Sequence, residues 1–321
     1  MADHRAPQTN HHLDFCLATE EDYEGVMAIS GDVYKGADYI QVKYHSWLQD
    51  TKRRTFVAKR KGQVVALESV CLVDDGSTAV PEGLRVAPWE RGRGIAGLIQ
   101  NFVKDYLKNE FPAVKCIRLT RVEDPPSSML SQYRLLHSKA TLSLIFKVEE
   151  IEKTVHNFIT KLEKEGHYFQ SPVTLELKDV RRIYTNEMVI EKLLPAKILI
   201  QSWLPVLTMT SNLDYLLARV GNWMADSSEE PNFLSLGSHP FKVPLGDNSY
   251  RYDIDLFGTD PRCAKIHFLA QLLVGAKMIS GSVLCCCLYI EKQLFQTLDI
   301  FCEGIKKYEL WKEQLVMEKD I

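Results

Sequence analysis

The 321-residue chain is poor in the features that mark several functional classes. No apolar run approaches the roughly 20 residues that a membrane-spanning helix needs, so no membrane partner is expected. Residues 1–12 are polar and lack the apolar stretch of a secretory leader; they are read as a disordered tail. Positive charge is not in excess, with 39 Lys and Arg against 42 Asp and Glu and a net charge of −3, which argues against a nucleic-acid partner. None of the eight cysteines forms a C-x-x-C pair and no histidine spacing completes a zinc site, so no metal is expected. Cys285, Cys286 and Cys287 lie in the apolar run Val283 to Ile290 and read as small buried side chains in a reduced, cytoplasmic protein. No Gly-Lys-Ser/Thr follows a glycine loop, which excludes a P-loop.

What is present begins with ordinary globular composition, 45% hydrophobic and 25% charged, in a chain long enough for two domains that each bury a core. One stretch organises it. Glu82 to Val86 reads as a strand that Pro88 stops. Arg91-Gly92-Arg93-Gly94 is a glycine turn flanked by cations. Ile95 to Lys108 then places Ile95, Leu98, Ile99, Phe102, Val103 and Tyr106 on one helical face. The first N–H groups of a helix lack intrahelical partners, and the helix dipole is positive there. Glycines let a phosphate approach that backbone closely. The loop is a candidate anion cradle. Gly92-x-Gly94-x-x-Gly97 lacks the acidic partner of a dinucleotide site.

The chain before and after this stretch predicts a strand at Leu13–Ala18 and a Thr19/Asp22 capping pair opening a helix through Ser30. A helix over Tyr39–Gln49 follows, then strands at Thr55–Lys59 and Gln63–Val73 around a Lys61-Gly62 turn. Beyond the central unit come a strand at Val114–Thr120, a helix at Ser127–His137 and a strand at Ala140–Val148. Glu149–Lys164 reads as a helix and Lys197–Trp203 as a strand that could complete the first sheet. Asn212–Ala225 reads as a helix, Phe233–Gly237 and Tyr250–Leu256 as strands. Pro261–Ile279 is a helix, Ser282–Ile290 a strand, Lys292–Glu303 a helix and Tyr308–Met317 a last strand.

The loop also matches Arg/Gln-x-x-Gly-x-Gly/Ala at Arg91, Gly94 and Ala96, with Leu84-x-Val86-x-Pro88 directly upstream. That pattern resembles the pyrophosphate loop of the GNAT acetyltransferase superfamily. More specific words are Ala28–Gly31, Tyr44-His45-Ser46-Trp47-Leu48, Ala66–Val70, Glu82–Arg91 and Tyr133-Arg134-Leu135. In these the chain resembles the histidine N-acetyltransferase family of fish and related vertebrates. The resemblance implies an α/β (α+β) GNAT acyl-CoA N-acyltransferase fold and acetyl transfer from acetyl-CoA to the α-amine of L-histidine. The expected domains are a catalytic GNAT region at 13–148, connecting helices and a strand at 149–210, and a degenerate GNAT-like half at 211–321. The equivalent loop of that half, Gly258-Thr259-Asp260-Pro261-Arg262, carries an acid and a proline where amide donors would be wanted; no acetyl-CoA is expected there.

Transfer in a ternary complex sets three tasks. By resemblance, the amides of Leu84 and Val86 meet the thioester, while Arg91, Gly92, Gly94 and Ala96 hold the diphosphate. An α-amine is protonated near neutral pH and needs a base. Glu82 shares a strand face with Leu84 and Val86 by period two. Glu68 sits in an apolar strand where burial would raise its pKa. Either is a candidate base, a substrate ligand or a structural carboxylate. Tyr133 matches the family's proton donor to the leaving sulfur, though His137-Ser138 and Pro126 depart from the pattern; a packed core tyrosine is the rival. Arg118 or Arg121 could grip a carboxylate. Tyr34, Tyr39, Tyr44, His45 and Trp47 populate the segment over the acceptor, Tyr39 first. A monomer is favoured. The alternatives are an enzyme acting on peptide or protein amines and a non-catalytic CoA-binding interaction module.

Overall fold

The computed structural model describes residues 13–321 other than Asp32 and His167. Its contacts divide the chain into two compact units. The first comprises the described residues through Gly31, Lys43–Cys71 and Pro81–Pro112; the second comprises the described residues of 32–42, Leu72–Val80 and Ala113–Ile321.

The first unit follows the sequence reading closely. Strand β1 (Asp14–Leu17) pairs antiparallel with β2 (Arg53–Arg60), and β2 with β3 (Gln63–Val73). Lys61 and Gly62 turn between them with φ of 51° and 80°. The Asp22 carboxylate accepts from the Thr19 amide at 3.0 Å and hydroxyl at 3.2 Å, which closes the capping box before α1 (Tyr23–Ile29). Helix α2 is Ile40–Gln49 and strand β4 is Thr78–Val86, longer than expected. Gly83 has φ of 72°, a left-handed kink that interrupts the two-residue alternation along β4. Helix α3 (Ile95–Glu110) buries Ile95, Ile99, Val103 and Leu107, each worth about 2 kcal/mol of apolar burial. Leu98, expected on that face, is 47% exposed. Phe102 stacks on Phe15 at 5.0 Å and meets Phe56 edge-on at 5.9 Å.

The second unit contains β5 (Cys116–Val122), α4 (Ser127–Leu130), β6 (Arg134–Lys147), α5 (Ile151–Lys164), β7 (Val173–Thr174), α6 (Leu177–Tyr184) and α7 (Glu187–Leu193). After these come β8 (Ile198–Gln201), β9 (Leu204–Leu207), α8 (Thr210–Arg219), β10 (Val220–Ala225), β11 (Leu234–Ser238), β12 (Phe241–Lys242) and β13 (Ser249–Phe257). Helix α9 (Pro261–Lys277), β14 (Val283–Glu291), α10 (Phe295–Phe301), β15 (Lys306–Lys307) and β16 (Glu313–Asp320) complete it.

Three expectations are corrected here. The helix at Ser127–His137 stops at Leu130, because Leu135 and His137 pair with Met317 and Val316 of β16; cross-strand pairing overrides local propensity. Asn212–Ala225 is helical only to Arg219, and its Val-Gly-Asn-Trp-Met end pairs with β11. The strand at Lys197–Trp203 does not complete the first sheet. It folds back as β8 against β9 through Ser202, whose φ is 55°. The place between β5 and β6 is taken by β16, which pairs with Thr120 through Val316 and with Lys139 through Gln314.

Within this unit the sheet order is β5-β16-β6-β14-β13-β11-β10-β7. A parallel pair lies on either side of the central antiparallel β16/β6 pair: β5 with the start of β4, and β14 with β13. The chain segment β13–α9–β14 thus repeats β4–α3–β5. The two copies differ in one decisive way. Strands β4 and β5 pair at Thr78↔Cys116 and Ala79↔Ile117. Strands β13 and β14 stay paired over seven positions, Ser249↔Val283 to Asp255↔Tyr289. The core of this half joins Leu142, Leu144 and Phe146 of β6 to Phe268 and Leu272 of α9 and to Leu284 and Leu288 of β14.

Candidate active site

The glycine loop of the first unit has the geometry an anion requires. Gly92 and Gly94 adopt φ of 76° and 78°, a conformation that an L side chain enters only with strain. A Cβ at either would meet nothing within 4 Å, so the space over the backbone is open. Gly94 is the N-cap of α3, with no side-chain cap and no acid in the first turn. The leading amides of a 16-residue helix are therefore left to a ligand. Arg91 is exposed, its Nε 3.4 Å from the Val86 carbonyl. Arg93 leans on Glu90, whose carboxylate Arg60 holds at 2.7 Å. Leu84 is exposed, Val86 and Ala96 are half-buried, and the Ala87 amide donates to Val65 at 2.8 Å.

The equivalent loop of the second half is built otherwise. A Cβ on Gly258 would lie 2.6 Å from Phe233 and 2.9 Å from the Asn232 carbonyl. Asp260 caps α9 by accepting from the Cys263 amide at 2.7 Å, and Pro261 occupies the first helical position. An internal carboxylate already occupies the amide end of this helix.

Glu68 and Glu82 stand on opposite faces of the first unit's sheet. Glu68 is opposite Phe56 on β2, and Phe56 packs under Phe102 and Tyr106 of α3. It is 2% exposed; burial pushes its pKa to about 7, and a hydrogen bond from Gln100 of α3 offsets part of that rise. Its Oε2 has no hydrogen-bond partner among the described residues. Ser69, the next residue, points the other way. There it meets Thr55 at 2.9 Å and the Arg53 guanidinium at 3.2 Å. Arg53 is also ion-paired to Glu82 and lies 4.5 Å over the Trp47 ring of α2. Glu82 thus belongs to a polar cluster on the α2 face. Trp47 was placed over the acceptor by the sequence; Arg53 and Ser69 escaped it, Arg53 because it lies in the cationic run Lys52-Arg53-Arg54.

The second unit places the remaining residues. Arg118 is 3% exposed and fully engaged. Its Nη1 donates to Asp74 at 2.7 Å, while Nε and Nη2 reach Glu318 of β16 at 2.8 and 2.7 Å. Glu318 also pairs with Arg134, and Asp74 accepts from Leu207 and Asn212. Arg118 is therefore held between two carboxylates of its own unit. Arg121 donates to the Met129 sulfur at 3.5 Å. Tyr133 stands just before β6 rather than on a helix, its ring beside Met129 and under the Lys319 ammonium at 4.5 Å. Tyr39 is half-buried and stacked on Tyr34 at 6.1 Å. In the first unit, Tyr44 is a core residue that donates to the Thr19 carbonyl.

A strand, an uncapped glycine loop and a helix crossing to a parallel strand define an acyltransferase of the GNAT class. Residues 19–129 match the acetyltransferase (GNAT) family, and residues 169–291 match the C-terminal domain of histidine N-acetyltransferase. The chain belongs to the histidine N-acetyltransferase family. It is 37% identical to the histidine N-acetyltransferase of Oreochromis niloticus, over 96% of this chain and 94% of that one. It is 36% identical to that of Scomber australasicus over the same shares, and 33% identical to that of Xenopus tropicalis over 98% of each. Among solved structures, it superposes on a tandem GNAT protein from the clavulanic acid biosynthesis pathway with a TM-score of 0.58, 14% identity and coverage of 96% and 98%. On a GCN5-related N-acetyltransferase from Sphaerobacter thermophilus the TM-score is 0.57, at 10% identity and coverage of 96% and 95%. Those two likenesses establish the fold.

Proposed function

We propose that this protein transfers acetyl from acetyl-CoA to the α-amine of L-histidine, giving N-acetyl-L-histidine and CoA. The observation that carries the reading is the open, uncapped loop Arg91–Gly94 between β4 and the amide end of α3. Whole-length similarity to proteins named for histidine acetylation supports the acceptor. The residues present suit the donor: left-handed glycines with empty space above them, leading helix amides and the flanking cations Arg91 and Arg93. In this reading Arg91, Gly92, Gly94 and Ala96 hold the diphosphate, and the amides of Leu84 and Val86 face the thioester carbonyl. One such donor aimed at the developing oxyanion is worth roughly 3 kcal/mol.

Glu82 takes a proton from the acceptor ammonium, with Arg53 fixing its carboxylate. The freed amine attacks the carbonyl carbon, the C–S bond breaks and an amide forms. The attacking nitrogen sheds its second proton as the amide forms; Tyr133 donates a proton to the departing sulfur and takes up that one in its place. Glu68 lies on the α3 face, apart from the Glu82 cluster, and its role is to support α3. The second half, at 211–321, binds no acetyl-CoA; its filled loop and closed strand pair support this. The catalytic region at 13–148 and the connector at 149–210 complete the proposed organisation, in a cytoplasmic monomer that uses no metal.

The test is CoA release by the purified protein with each of the twenty free amino acids and with peptides bearing free amines. Turnover with histidine alone is expected. Turnover only on peptides would replace the reading with a peptide acetyltransferase, and binding of acetyl-CoA without turnover would replace it with a binding module.

A further inference from the structure

Within the second unit, the ladder between β6 and the chain running from β15 into β16 is interrupted. Leu144 pairs with Lys307 and Ala140 with Glu313. Tyr308 to Lys312 therefore span what Thr141 to Ser143 span opposite, and the two surplus residues arch away from β6. At one end of the arch the Thr141 amide donates to the Lys312 carbonyl at 2.9 Å; at the other the Tyr308 amide donates to the Ser143 carbonyl at 2.9 Å. A strand residue turns its N–H and C=O to the same side, so the Thr141 carbonyl and the Ser143 amide face the arch as well. Neither return bond forms. The Lys312 amide goes instead to the Glu123 carboxylate at 2.9 Å, and the Tyr308 carbonyl accepts from the Leu310 amide at 2.9 Å.

Strand and arch border a cleft of about 670 Å³ whose lining residues all belong to the second unit. That volume falls in the range of small-molecule sites, roughly 300–1,000 Å³. Leu142, Phe295 and Leu310 supply its apolar wall. Lys292 and Lys307 are paired with Glu313 at 3.0 Å and Asp299 at 2.5 Å, and Lys35 donates to the Glu309 carbonyl at 2.7 Å. Lys312 is exposed and makes no ion pair among the described residues. Glu123 is taken by the Lys312 and Glu313 amides, and Glu309 is exposed. Trp311 also lines the cleft. It is 7% exposed, and its indole Nε1 has no hydrogen-bond partner among the described residues.

We infer that this cleft binds a single α-amino acid unit, free or N-acylated. In an extended conformation such a unit carries its α N–H and a carboxylate oxygen on one side. One residue of a parallel strand presents the same two groups to its neighbour, donating to one residue there and accepting from the residue two further on. Thr141 and Ser143 stand in that relation. The ligand's N–H donates to the Thr141 carbonyl, its carboxylate accepts from the Ser143 amide with Lys312 as counter-ion, and its side chain packs on the apolar wall. A free amino acid and an N-acylamino acid both offer this pair of groups. An amide without a carboxylate, or a carboxylate without the α N–H, offers only half of it. The site stands whichever amine the acetyltransferase acts on, because none of its residues belongs to the proposed catalytic set.

The test labels the full chain with 5-fluorotryptophan and follows its five tryptophans by fluorine NMR. Trp311→Phe assigns the Trp311 resonance; if that variant does not fold, replacing the other tryptophans in turn assigns it by elimination. The protein is titrated with alanine and histidine, each free and N-acetylated. A saturable shift of the Trp311 resonance is expected, and the form that produces it at lower concentration identifies the ligand as free or acylated. Propionate, which lacks the α N–H, and N-ethylacetamide, which lacks the carboxylate, should leave the resonance in place. Lys312→Glu, at an exposed position, should raise the half-saturating concentration about tenfold. No saturable shift with any of the amino acid compounds, an equal response to either control, or half-saturation in Lys312→Glu within twofold of wild type would overturn the site.

Discussion

Adjacent positions of an extended strand face opposite ways, and Glu68 and Ser69 carry that rule into chemistry. Glu68 is driven under α3, where its charged form is costly; Ser69 joins the Arg53–Glu82 cluster. A carboxyl whose folded pKa is about 7 against an ordinary 4.5 favours the fold most when protonated. That contribution is complete below pH 4.5 and lost as the pH rises through 7, a swing of about 3 kcal/mol. Glu68→Gln should therefore match the wild type in urea stability near pH 5 and exceed it at pH 8 by up to about 3 kcal/mol; an equal difference at both pH values would contradict the burial account. Arg118 gives a second residue-scale prediction. Arg118→Met leaves Asp74 without its cation and Glu318 with Arg134 alone, and should cost about 3–5 kcal/mol of stability, with histidine KM unchanged in the folded enzyme. A stable variant with raised histidine KM would return Arg118 to the site. The burial of Glu68 was legible from its apolar neighbours. Its choice of face was not, because that is set by its pairing with Phe56 and the packing of Phe56 under α3.

At the scale of elements, local signals read well and non-local pairings do not. The Thr19/Asp22 box, the Lys61-Gly62 hairpin and the loop–helix junction at Gly94 depend on residues a few positions apart, and each stands where the sequence places it. Lys197–Trp203 and Val220–Ala225 turn back on the nearby β9 and β11, whereas at Ser127–His137 the partner strand comes from far along the chain. Strand β16 is the clearest instance, since it lies between β5 and β6 and supplies Glu318 to Arg118. Deleting Glu313–Ile321 should abolish cooperative thermal unfolding. A transition within a few degrees of the full chain would contradict the role given to this strand.

Across the whole molecule, one supersecondary unit occurs twice with opposite outcomes. In β4–α3–β5 the parallel strands pair at two positions and the glycines open on empty space. In β13–α9–β14 seven pairs hold the strands together, Asp260 supplies the cap and Phe233 fills the space beside Gly258. The first arrangement leaves amide donors for a diphosphate, and the second satisfies them internally. Sequence composition hinted at this contrast through Asp260 and Pro261, but the closed strand pair is visible only in the fold.

Calorimetric titration of the full chain with acetyl-CoA tests this contrast most directly. One binding site per chain is expected, abolished by Gly94→Asp, which puts an acid where the diphosphate would sit, and retained in Asp260→Ala. Two sites per chain, no heat in the wild type, or undiminished binding in Gly94→Asp would contradict it.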